Sequence, residues 1–148
     1  MSVYIRVELQ RQIRNRFGEC CAYCRTAEFL TAMTFEFEHI IPLAGGGETV
    51  FENLCFACPS GNRYKGDRQT AIDSESGETV ALFHPQEQIW GQHFSWSEMG
   101  TEMRGLTTVG HDESKWHYNG VNELGFQGTF VLKAETVSCR TQLGGNLP

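Results

Sequence analysis

No apolar run in the chain approaches the roughly 20 residues a helix needs to cross a bilayer. The opening MSVYIRVELQ lacks the apolar stretch of a secretory signal. The expectation is a soluble, cytoplasmic protein with no membrane partner. Basic residues are scarce as well: 12 Lys and Arg stand against 18 Asp and Glu, a net charge of −6. That balance argues against a protein that coats nucleic acid by bulk electrostatics, because neutralising phosphates takes clustered Lys and Arg. Internal repeats and low-complexity linkers are missing, and 148 residues are too few for two ordinary domains. What is present suits a single domain with a real core, at 40% hydrophobic and 20% charged residues.

The charge is unevenly spread. Residues 1–68 carry eight basic and eight acidic side chains, whereas residues 69–148 carry four basic and ten acidic ones. A polyanion should therefore dock on the first half, leaving the acidic second half as a surface for a protein partner. Six cysteines (Cys20, Cys21, Cys24, Cys55, Cys58, Cys139) could form three disulfides. With no signal sequence, the reducing cytosol favours metal ligation over that alternative.

Along the chain, Ile5, Leu9, Ile13 and Phe17 recur every fourth residue and predict one stripe of a helix that Gly18 ends. Arg6, Arg11, Arg14 and Arg16 fall largely off that stripe and form either a solvated face or a phosphate-contacting one. A Cys-x-x-Cys turn follows at residues 20–24. Thr34–Ile41 is β-prone and should stop at Pro42, which cannot donate to a ladder. The glycine-rich Ala44–Thr49 predicts a flexible loop, and Val50–Phe56 the antiparallel return strand. Pro59, Ser60 and Gly61 then read as a turn before a helix over Asn62–Thr70, whose Arg63, Lys65 and Arg68 are candidates for nucleic-acid contact. Beyond it come a polar turn at Asp73–Glu78, a strand at Thr79–Phe83 and a helix over Pro85–Phe94. A Trp96-containing strand follows, and weakly patterned sequence runs from Leu106 on.

The stretch Phe35–Asp67 concentrates the chemistry. Glu38 and His39 are adjacent at a strand end, where a bend beside Pro42 would bring both to one cavity. A hard divalent cation such as Mg²⁺ takes oxygen ligands, which Glu38 and the amide of Asn62 can supply. His39 is then free to act as a general base on the water that attacks a phosphodiester. Asn53, on the partner strand, can hold the His39 loop through its amide. Taken singly, each has a blander use: a histidine beside a proline often only ends a strand, and an asparagine at a helix start is most often a cap.

The series Glu38-His39-Ile40-Ile41-Pro42-Leu43, Gly46-Gly47, Glu52-Asn53-Leu54 and Asn62-x-x-Lys65-Gly66 resembles the HNH endonuclease family. That resemblance implies an α+β protein: a ββα-metal core with an N-terminal helix and a small mixed C-terminal extension. It implies Glu38 and Asn62 on a catalytic Mg²⁺ or Mn²⁺, His39 as general base and Asn53 as a structural asparagine. No third metal ligand is evident, since Asp67 has no motif counterpart. Similarity to a subgroup of small single-domain bacterial members continues through Ala71-Ile72-Asp73, Thr79–Pro85 and Trp90-x-x-His93-Phe94-x-Trp96. His84 and His93 belong to that subgroup pattern as structural rather than catalytic residues. Residues 1–106 are accordingly expected to form the nuclease domain, with 107–148 an extension packed on it.

The family often adds a structural zinc held by two Cys-x-x-Cys pairs. Cys21 and Cys24 form the first pair here, but the second has Cys58 followed by Gly61 where a cysteine is expected. A closed zinc site wants four ligands, so Cys55 is the expected replacement, with Cys20 as another; the alternative is a vestigial set of buried cysteines. The expected function is metal-dependent hydrolysis of nucleic acid, DNA in the first place. The alternative is a catalytically inactive nucleic-acid-binding or scaffolding module on the same fold.

Overall fold

The computed structural model describes residues 3–73, 75–97 and 103–110. Most of the region expected as a C-terminal extension, including Cys139, lies outside the described residues. Helix α1 spans Val7–Arg16 and turns Ile5, Leu9, Ile13 and Phe17 inward, with Ile13 and Phe17 fully buried. Gly18 then takes a left-handed φ of 61°, which a glycine adopts without strain, and ends the helix.

Strands β1 (Glu36–His39) and β2 (Leu54–Ala57) pair antiparallel, with Glu38 opposite Cys55 and His39 opposite Leu54. β2 is buried along its whole length, between α1 and the rest of the core. The chain between the strands is built from two short 3-10 turns, Leu43–Gly45 and Phe51–Asn53, with Gly46 left-handed at φ 90°. The return strand thus starts later than Val50, because Phe51–Asn53 curls to bring Asn53 inward.

Helix α2 runs over Pro59–Lys65 rather than the expected Asn62–Thr70. Proline is well suited to the first helical position, since its missing N–H would be unpaired there anyway. Cys58 precedes it as the N-cap, its Sγ accepting from Gly61 N at 3.3 Å. Gly66, at φ 53°, ends the helix early and frees Thr70–Ile72 to form β3, paired with β4 (Thr79–Ala81) around the turn at Gly77. The helix expected over Pro85–Phe94 contracts to α3, Trp90–His93. Gln88 Oε1 folds back to accept from His84 N at 2.7 Å, which holds the preceding residues in a turn. β5 (Phe94–Trp96) and β6 (Met103–Gly105) close the described chain as a third two-stranded pair.

One apolar cluster joins these pieces: Ile13, Phe17, Tyr23, Phe35, Leu54, Phe56, Phe83, Trp90, Phe94 and Met103 all belong to it. Trp90 buries its ring there and satisfies its N–H by donating to Tyr23 O at 2.6 Å. The result is an α+β arrangement in which α1 backs β2, and α2 lies against β1.

Candidate functional site

β1 ends where its partner curls away, and a cleft of about 300 Å³ opens at that end, lined by Phe37, Glu38, His39, Pro42, Leu43, Ala44, Asn62, Gly66 and Asp67. Glu38, His39 and Asn62 are therefore gathered at one place. Asp67, which lacked a motif counterpart, lines the same cleft.

Asn53 is buried and makes three hydrogen bonds to the loop that follows His39. Its Oδ1 accepts from Ile41 N at 2.8 Å, and its Nδ2 donates to Ile41 O and to Glu48 O, each at 2.9 Å. The backbone adds Ile40 N to Asn53 O at 2.9 Å. One amide thereby uses both its donors and its acceptor to fix the bend beside Pro42. Gly47 passes so close that a Cβ there would meet Ile41 O at 1.9 Å and Asn53 Nδ2 at 2.7 Å.

His39 is half-buried, its Nε2 2.9 Å from Thr49 Oγ1. Burial, and secondarily the charge of Lys65, hold the imidazole below its ordinary pKa. It is thus neutral at pH 7, as a base must be. Glu38 is buried at 6% exposure, and burial drives its pKa up to about 8 against the opposing pull of Lys65. Lys65 Nζ lies 3.4 Å from Glu38 Oε1, an ion pair, and among the described residues Oε1 accepts no well-formed hydrogen bond. A buried carboxylate oxygen in that condition beside an open cleft suits a cation ligand. Asn62 Nδ2 donates to Glu36 Oε2, which orients the amide.

The sulfurs of Cys21, Cys24 and Cys58 lie within 4.8 Å of one another and could hold a metal ion. Cys24 Sγ and Cys58 Sγ are 3.9 Å apart. Tetrahedral zinc with Zn–S near 2.3 Å sets its sulfurs about 3.8 Å apart, so the spacing fits. Among the described residues the cluster has three members and Cys55 is not one of them. Cys55 Sγ instead lies 3.7 Å from Tyr23 Oη and 4.0 Å from Glu38 Oε2, where burial pushes its thiol pKa well up. Its strand position, opposite Glu38 in the register, turns it toward that carboxylate. Cys20 also stays out of the cluster, packing with Ala27 and Leu30.

Residues 21–77 match the family model for HNH endonuclease. Over that segment the chain is similar to HNH endonucleases. No curated protein and no solved structure matches the chain. The HNH segment takes in both the cleft and the three-thiol cluster.

Other expected site residues of the HNH segment separate by burial. Arg63 and Arg68 are exposed, whereas Lys65 is 2% exposed and turned to Glu38 and His39 O. Lys65 is thus an internal counter-charge rather than a surface contact for phosphate, because the last turn of α2 points it back at β1. Outside the segment, His84 and His93 do not line the cleft; His93 Nδ1 lies 2.6 Å from Thr107 Oγ1 and its ring packs on Phe83. On α1, Arg14 is taken up by Glu28 at 2.6 Å and by the Phe56 ring at 4.6 Å. Sequence reasoning missed Thr49, Glu36 and the inward role of Lys65. The Glu36-Phe37-Glu38 alternation, which sets two carboxylates on one strand face, was a signal for Glu36.

Proposed function

We propose that this protein is a metal-dependent nuclease that hydrolyses phosphodiester bonds of nucleic acid, DNA in the first place. The convergence of Glu38, His39 and Asn62 on one cleft, with Asn53 clamping the loop, carries the proposal. We read β1, β2 and α2 as the ββα-metal core, and residues 107–148 as an extension of the same domain.

Glu38 Oε1 and Asn62 Oδ1 would hold a Mg²⁺ or Mn²⁺ ion, which when bound supplies charge stabilisation at the leaving oxygen. His39 takes the proton of the attacking water. Thr49 engages Nε2, so Nδ1 is the nitrogen left for that proton, and the hydroxyl also fixes the ring's orientation. The Lys65 ammonium beside Glu38 favours the carboxylate form that ligation needs. Arg63 and Arg68, exposed on and just after α2, would contact substrate phosphates. Cys21, Cys24 and Cys58 would hold a structural Zn²⁺ that ties the Cys-x-x-Cys turn to the start of α2.

Incubation of the purified protein with plasmid and single-stranded DNA tests the proposal. Cleavage in Mg²⁺ or Mn²⁺ that a chelator abolishes is the expected result. Intact nucleic acid across a panel of divalent cations, with binding retained, would instead support a non-catalytic module.

A further inference from the structure

Cys55 is a fully buried thiol that neither the three-thiol cluster nor the chemistry of the cleft uses. It sits within β2 directly opposite Glu38 in the register, and residues so paired turn their side chains to the same face of the two strands. Its Sγ accordingly lies 4.0 Å from Glu38 Oε2, with Tyr23 Oη 3.7 Å from the same sulfur. Lys65 Nζ stands 3.4 Å from the other carboxylate oxygen, Oε1. Each oxygen of Glu38 thus has a neighbour of its own, a thiol from β2 and an ammonium from α2.

A carboxylate ligates best when its orientation is set before the ion arrives, and hydrogen bonds to the ligand set it. A thiol is a weak donor, but an ionised acceptor strengthens the bond. Cysteine also packs as a small hydrophobe, so it delivers that donor from inside the apolar cluster that holds Tyr23, Leu54 and Phe56. An aliphatic side chain at this place would fill similar space and leave Oε2 without the donor. The single thiol proton has two oxygens in reach, and the charge of an ionised Glu38 directs it to Oε2. Tyr23, whose O–H can turn toward the sulfur, then backs the thiol from the other side.

We propose that Cys55 is a positioning residue for the cation of the cleft: its thiol donates to Glu38 Oε2, with Tyr23 behind the sulfur, and so presents Oε1 to a hard divalent ion. This rests on the reading of Glu38 as a cation ligand. Cys55 itself touches neither the ion nor the substrate.

Calorimetric titration of Mn²⁺ into the full chain tests it, with Glu38→Gln as the reference for a lost site. Mn²⁺ is the probe because thiolates select softer ions, which keeps the Cys21, Cys24 and Cys58 cluster silent. Cys55→Val retains apolar bulk without the donor and should bind Mn²⁺ about 10- to 100-fold more weakly than wild type, while the Tm of the metal-free protein holds. Cys55→Ser, which keeps a donor, should restore the affinity. Cys55→Ala is a second donorless variant that cannot overpack the strand, and it should show the same weakening. Affinity equal to wild type in both donorless variants, or a serine variant as weak as they are, would overturn the role of Cys55 alone. A wild type that binds Mn²⁺ no better than Glu38→Gln would overturn the ligand reading of Glu38, and this role with it.

Discussion

At Glu38 burial favours the neutral acid while Lys65 favours the carboxylate. An unfolded chain ionises this side chain near a pKa of about 4.3, whereas the folded chain holds the proton up to about 8. The native state therefore binds more protons in that window, and Glu38's contribution to stability falls as pH rises through it, by at most about 5 kcal/mol. In metal-free protein, Glu38→Gln removes this titration, so its Tm relative to wild type should climb between about pH 5 and about pH 8. His39 has the opposite sense. Held below its ordinary pKa, it is neutral at and above about pH 6.5, so at saturating cation the pH–rate profile should turn down only below about pH 6.5. Asn53→Ala leaves three loop groups without their partner and should lower stability by about 2 to 4 kcal/mol in denaturant titration. Glu38, His39 and Asn53 were legible in the sequence because their motif is local. Lys65 and Thr49 were not, since their partners depend on how α2 docks on β1 and how the loop folds back.

Among the elements, the loop between β1 and β2 is the one whose shape the cleft needs most. Gly47→Ala would drive a methyl into Ile41 O and Asn53 Nδ2; neither backbone nor clamped amide can retreat far. The variant should lose about 1 to 3 kcal/mol of stability and cleavage activity with it. Gly91→Ala is the matched control, since nothing lies within 4 Å of a Cβ there and the helical position should tolerate alanine. Hairpin and helix were legible from Pro42, the glycines and the β-prone runs. The start of α2 was not. Pro59 reads as a turn residue or as the first residue of a helix, and only the cap formed by Cys58 settles which. That shift also moves Asn62 from the helix start to its fourth residue.

For the whole molecule, the charge split limits how nucleic acid can bind. With Lys65 buried and Arg14 engaged internally, Arg63 and Arg68 carry much of the phosphate contact proposed here. Neutralising either, as Arg63→Gln or Arg68→Gln, should reduce the slope of log K against log salt by about 0.9. The apolar stripe of α1 was legible because its period survives into the core. The helix expected over Pro85–Phe94 failed because Trp90 is anchored to Tyr23 and Gln88 to His84, tertiary contacts that override local preference. The central claim is that His39 is the base of a metal-dependent nuclease. Its most direct test is the single-turnover cleavage rate of His39→Ala against wild type at saturating Mn²⁺. A fall of about 10²- to 10⁴-fold, with circular dichroism and Mn²⁺ binding unchanged, is the result predicted here; equal rates in the two proteins would contradict it.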